Sequence, residues 1–161
     1  MRVTFTLNGR EVTVDSPPYS RFIHVLREHF GLLGTKEGCL QGKCGFCLII
    51  INDNLVPACM LPVFSMFHAN VTTIEGFRRT LEYKDIEKGF ITEGVHTCGF
   101  CSSAKYLVVH KLLEENPTPS ESQIRKALSA IVCRCTSNSS LVNGVKAAAM
   151  NRRQRRHGSH K

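Results

Sequence analysis

A chain of 161 residues, 42% of them hydrophobic, suffices for one ordinary domain or two small ones, and none of its apolar runs approaches the length of a bilayer span. The formal charge of +8 hints at nucleic acid, but Arg152, Arg153, Arg155, Arg156 and Lys161 crowd the C-terminal end without interleaved aromatics, which leaves the body close to neutral. Eight cysteines require disulfides, zinc or iron–sulfur chemistry, and the absence of an apolar signal segment at the N-terminus argues for a cytoplasmic protein with reduced thiols.

Residues 2–7 alternate, with Val3, Phe5 and Leu7 on one face, as in a half-buried strand. Asn8-Gly9 follows, the pair that a tight hairpin turn favours, and Val12 and Val14 continue as the returning strand. Pro17-Pro18 ends the hairpin. Residues 20–30 then space Phe22, Ile23, Leu26 and Phe30 as the apolar stripe of a helix closed by Gly31 and Gly34.

Residues 38–47, Gly-Cys-Leu-Gln-Gly-Lys-Cys-Gly-Phe-Cys, come next, with Cys39, Cys44 and Cys47 in Cys-x4-Cys-x2-Cys spacing and Cys59 further on. That is the plant-type [2Fe–2S] spacing. A four-thiolate, two-sulfide, two-ferric cluster carries about −2 charge, and Gly38, Gly42 and Gly45 let backbone N–H groups approach it closely. Two such clusters would lower the net charge to about +4 by the same arithmetic.

The run 48–51 is β-branched and reads as a buried strand. Asn52-Asp53-Asn54 turns the chain back through 55–58 to Cys59, and 71–74 reads as the last strand. From Gly76 helical periodicity takes over, so a second domain is expected over 76–150, after a first over 1–75 and before a disordered basic tail at 151–161. Helices are expected over 83–94, 104–115 and 139–149. Between the last two, Ser120 and Gln123 form a capping-box pair opening another helix, whose Ile124, Leu128 and Ile131 lead to Cys133. Four helices suggest a small bundle.

The second thiol set is Cys98 and Cys101, ahead of a helix, with Cys133 and Cys135 after another. Structural zinc pairs usually have longer spacers than Cys-x-Cys, and two helix ends can present four thiolates to one cluster with dipolar support. Spacing alone leaves zinc and iron–sulfur both open for this set.

Taken together, Gly38-Cys39, Gly42, Cys44-Gly45, Cys47 and Cys59, then Cys98-Gly99-Phe100-Cys101 and Cys133-Arg134-Cys135, resemble the small two-[2Fe–2S] subunit of the xanthine dehydrogenase family of molybdenum hydroxylases. The resemblance covers about residues 2–150. It implies an α+β chain, with an N-terminal β-grasp ferredoxin-like domain followed by an all-α four-helix-bundle [2Fe–2S]-binding domain. It implies two [2Fe–2S] clusters, one on Cys39, Cys44, Cys47 and Cys59 and one on Cys98, Cys101, Cys133 and Cys135. The implied role is a non-catalytic electron-transfer subunit with no substrate site of its own, the second cluster collecting electrons from molybdopterin and the first passing them to FAD. Both of those cofactors are then expected on separate partners, a molybdopterin-binding large subunit and a FAD-binding medium subunit, as a heterotrimer able to pair with a second copy, with neither nucleic acid nor membrane as partner.

This chain departs from the family pattern at Thr97, where Gln is usual, at Ser102-Ser103-Ala104 in place of Thr-Pro-Gly, and at Thr136-Ser137-Asn138 in place of Thr-Gly-Tyr. These changes cluster on the pterin-facing side. Lys43 stands where an acidic residue is common, and reads better as a solvated charge than as a tuning group. No histidine among His24, His29, His68, His96, His110, His157 and His160 forms a ligand pair. Two rival readings remain, a stand-alone two-cluster ferredoxin and a zinc-stabilised binding module.

Overall fold

The structure, a computed structural model, describes residues 1–158. Strand β1 (Arg2–Leu7) pairs antiparallel with β2 (Arg10–Asp15), with Val3 opposite Val14 and Phe5 opposite Val12. Asn8 (φ 52°) and Gly9 (φ 81°) both take the left-handed backbone that the turn demands. Strands β3 (Leu48–Ile51), β4 (Asn54–Pro57) and β5 (Asn70–Thr72) complete one sheet in the order β2-β1-β5-β3-β4, with β1 and β5 parallel.

The helix expected over 20–30 is shorter and wound differently. Arg21 is still extended, α1 covers Phe22–His24, and Val25–His29 continues as a π turn in which the Phe30 N–H reaches the Val25 carbonyl. Its apolar face survives the change. Phe22, Ile23 and Leu26 are buried on the sheet, and Phe5 meets Phe22 and Phe30 edge-on at 5.4 and 6.0 Å. A sheet closed over a helix in this way is a β-grasp arrangement.

Strand β3 separates two cores. Alternation sends Ile49 into the core made with β1 and α1, and Ile50 into the core of the helical half. That second core is built from α2 (Ile74–Phe77), α3 (Leu81–Thr92), α4 (Ser102–Glu115), α5 (Glu121–Leu128) and α6 (Asn138–Gly158). Thr80 caps α3 by accepting the Tyr83 N–H, and Ser120 with Gln123 forms the complete capping box on α5. Helices α3 and α6 approach closely at Gly89, where an added Cβ would lie 2.5 Å from the Ala148 nitrogen.

The basic tail differs from the expectation. Helix α6 continues through Gly158 rather than fraying after residue 150. Arg155 donates to Asp85 and Glu82 on α3, at 2.8 Å each from Nη2, and Arg152 is 2% exposed and donates to His110 on α4. Cross-helix partners hold the last turns in place. The part of the expected tail at 159–161, with His160 and Lys161, lies outside the described residues. Among the described residues no helix is long and apolar enough to cross a membrane.

Candidate metal centres

Residues 38–47 contain neither helix nor strand, and their path depends on Leu40 (φ 53°), Gly42 (φ 71°) and Gly45 (φ 77°). These left-handed turns wrap the chain around Cys39, whose Sγ accepts N–H groups from Gln41 (3.4 Å), Lys43 (3.3 Å) and Cys44 (3.4 Å). The donors, Gln41 foremost, hold the Cys39 thiol down at about 6, so it is ready to bind as thiolate. The Lys43 side chain is exposed, in line with a solvated charge; its backbone is what serves the site. Gly38 leaves room that a side chain would fill: its Cβ would stand 2.8 Å from Cys44 Sγ and 2.5 Å from the Phe46 ring.

Cys59 arrives on a 3-10 turn, Ala58–Met60, after β4, where the Ala58 N–H bonds to the Cys47 carbonyl at 3.0 Å. Cys47 and Cys59 are each 2% exposed. Burial pushes the Cys47 thiol up to about 12. A thiol in such a place ionises when it faces a cation, which is the condition a metal centre supplies.

The second set is assembled from further apart. Cys98 and Cys101 precede α4, while Cys133 and Cys135 lie between α5 and α6. Cys101 Sγ lies 3.4 Å from Cys98, 3.8 Å from Cys133 and 3.2 Å from Cys135, and the Cys98 N–H donates to Cys135 Sγ at 3.3 Å. Backbone donors, led by the N–H of Cys101, lower the Cys98 thiol to about 7, whereas burial raises Cys101 to about 12. Sulfur separations of 3.2–3.8 Å are those of thiolates sharing one tetrahedral metal, whether a zinc ion or one iron of a cluster.

A side chain that spacing arguments passed over enters here. Lys105 is 1% exposed, and its Nζ donates to Cys133 Sγ at 2.9 Å and sits 3.9 Å from Cys135 Sγ. Burial opposes its charge, but the hydrogen bond to Cys133 and the negative charge of Cys101, Cys133 and Cys135 together outweigh that and raise its pKa above the usual lysine value. The available signal was position: Lys105 follows Cys101 by one helical turn and so shares its face. Of the positions that depart from the family pattern, Thr97 donates to Ser102 at 3.0 Å and Ser137 accepts the Ser140 N–H at 3.1 Å, while Thr136, which keeps the family's threonine, donates to the His96 carbonyl. The His96 side chain is exposed.

The two thiol loops touch. The Val132 N–H, next to Cys133, bonds to the Cys44 carbonyl at 3.0 Å, and the rings of Phe46 and Phe100 meet edge-on at 6.0 Å. Gly45 lies against the backbone of Ala130, where a Cβ would come within 2.2 Å of the carbonyl oxygen.

Comparison with known proteins separates the two kinds of centre. A family model described as a 2Fe-2S iron-sulfur cluster binding domain matches residues 5–81, and one described as a [2Fe-2S] binding domain matches residues 73–146. A nicotinate dehydrogenase subunit from Pseudomonas putida is 33% identical over 152 residues, covering 94% of this chain and 97% of the relative. The chain belongs to the xanthine dehydrogenase family of molybdenum hydroxylases. Within it, a probable xanthine dehydrogenase subunit from Bacillus subtilis is 35% identical over 131 residues, covering 81% of this chain and 75% of that one. A solved chain of quinoline 2-oxidoreductase from Pseudomonas putida 86 superposes with a TM-score of 0.87 at 31% identity, covering 95% and 96% of the two chains. As a molybdenum-hydroxylase iron–sulfur subunit, this chain carries two [2Fe–2S] clusters and transfers electrons within an oxidoreductase complex.

Proposed function

We propose that Cys39, Cys44, Cys47 and Cys59 hold one [2Fe–2S] cluster, that Cys98, Cys101, Cys133 and Cys135 hold the other, and that electrons pass from the second site to the first. In this reading a unit at 1–75 and a unit at 76–150 form a relay between a molybdopterin-bearing large subunit and a FAD-bearing medium subunit. The observation that carries it is the bond between the Val132 N–H and the Cys44 carbonyl, which abuts the two ligand loops through their backbones.

When bound, each cluster supplies one-electron redox chemistry. The chain does the rest. N–H groups of residues 41, 43 and 44 stabilise thiolate charge at Cys39, and the burial of Cys47, Cys59 and Cys101 keeps water from the thiols that would hold the clusters. Phe100 and Val132, 55% and 58% exposed, form an apolar rim beside the second site that suits contact with a large partner.

Iron and acid-labile sulfide assays on the purified chain, with electron paramagnetic resonance after dithionite reduction, test the ligand sets. Two distinct [2Fe–2S] signals support the assignment; a colourless protein with zinc and no sulfide overturns it in favour of the zinc module. Co-purification from the source cell tests the partners. Recovery with molybdenum- and flavin-bearing chains supports the relay, and recovery as a free two-cluster ferredoxin overturns it.

A further inference from the structure

We propose that Lys105 is a built-in counter-ion of the second [2Fe–2S] cluster and sets that cluster's potential above the value its thiolates alone would give. The inference rests on the ligand assignment proposed above. Its basis is the position of one ammonium group. Nζ is buried, reaches Cys133 and Cys135, and forms no ion pair with a carboxylate among the described residues.

Among the described residues, no acidic side chain lines the space beside it. Ala104 and Val108 beside it on α4 are buried, and a cavity of about 180 Å³ next to it is lined by Leu128, Ile131, Leu141 and Val142 together with the uncharged Ser129 and Asn138. Arg125, on the same cavity, carries the same sign and is itself paired with Glu121 at 2.7 Å. A charge in such a place is costly unless paired, and the thiolates are the pairing groups within reach. The N–H of Lys105 also bonds to the Cys101 carbonyl at 3.1 Å, which fixes the base of the side chain against the site it faces.

Reduction adds one electron and no atom, taking the bound cluster from about −2 to about −3 by oxidation-state arithmetic. A fixed positive charge against its thiolates favours the more negative state, and therefore raises the potential. Among the described residues the first site has no equivalent. Its nearby lysine, Lys43, is exposed, and its thiolates are served by neutral amides. The asymmetry makes the second site a readier acceptor of an incoming electron and lessens the drive for passing it to the first.

The test is a dithionite titration of the full chain, following the two [2Fe–2S] signals separately, in wild type and in Lys105→Met, Lys105→Gln and Lys105→Arg. In the Met and Gln variants the equilibrium constant for reducing the second cluster is expected to fall at least tenfold, about 59 mV for one electron. The first cluster should stay within about threefold, and Arg should restore most of the loss by retaining charge. A second cluster within about threefold of wild type in Lys105→Met, with both clusters bound, overturns the proposal. So does a wild-type potential in Lys105→Gln, which would assign the effect to hydrogen bonding. If Met and Gln lose the second cluster while Arg keeps it, the counter-ion role stands; loss in all three marks a packing role and overturns it. Absence of iron and sulfide from the wild-type chain would instead defeat the underlying assignment.

Discussion

The two thiol sets solve one problem by different means. Around Cys39 the work is done by backbone: three left-handed residues in a short loop aim neutral N–H groups at sulfur. Around Cys101 it is done by packing, since its partners Cys133 and Cys135 lie 32 and 34 residues away and arrive on segments between helices. A local site survives wherever its loop holds its shape; a non-local site exists only while the bundle is assembled. The second site should therefore be lost first when the fold is weakened.

The sharpest way to break the comparison is to remove one site at a time. Cys44→Ser and Cys135→Ser should each lower iron from about four atoms per chain to about two, by eliminating a different paramagnetic signal. Loss of both signals in either variant would show that the sites do not assemble independently.

Gly45→Ala attacks the seam between them. The new methyl must occupy φ 77° and meet the Ala130 carbonyl oxygen at 2.2 Å, where the neighbour is backbone and has little room to yield. Strain and overpacking together should cost about 3 kcal/mol, read as a fall in Tm with the second signal broadened before the first. An alanine variant with wild-type Tm would show that the loops do not press on each other.

Acid should also act on the helical half. His110 on α4 accepts from Arg152 Nη2 at 3.3 Å through Nδ1, and Arg152 has no acceptor, so that nitrogen is unprotonated in the fold. Burial holds the histidine down at about 4, against about 6.5 in an unfolded chain. The unfolded chain binds the proton more readily, so stability is complete above about pH 6.5 and falls by about 2 to 3 kcal/mol as pH drops toward 4. Helical melts of wild type and His110→Gln across that window check it, the variant losing most of the slope.

The smallest effect is expected from Ser120→Ala. It removes the acceptor for the Gln123 N–H at 3.3 Å and should cost about 1 kcal/mol. Because α5 leads into Cys133, the loss should register at the second site and leave the first unmoved.

Much of this architecture is visible in the sequence because it is locally encoded. Asn8-Gly9 dictates its hairpin, Ser120 and Gln123 announce their helix, and eight cysteines in two spaced sets point to their chemistry. What escaped depends on long-range partners. Arg152 and Arg155 read as a solvated cluster until α3 and α4 place Asp85, Glu82 and His110 beside them, which turns a tail into two further turns of helix. The π turn after α1 follows from packing, since its apolar spacing also suits an ordinary helix. Lys105 was hidden for a similar reason: amid the apolar stripe of α4 a lysine looks like an outward residue, and its inward aim depends on where Cys133 ends up.

The seam at Gly45 has a consequence for how such a chain can change over time. The Val132 to Cys44 bond and the Gly45 to Ala130 approach both run through backbone atoms, so the side chains of Ala130 and Val132 can be exchanged without altering either contact. Gly45 has no such freedom, because both its backbone angle and its missing side chain are used. In descendants of this chain, sequence drift should be broad on the helical side of the seam and nearly frozen at this single glycine.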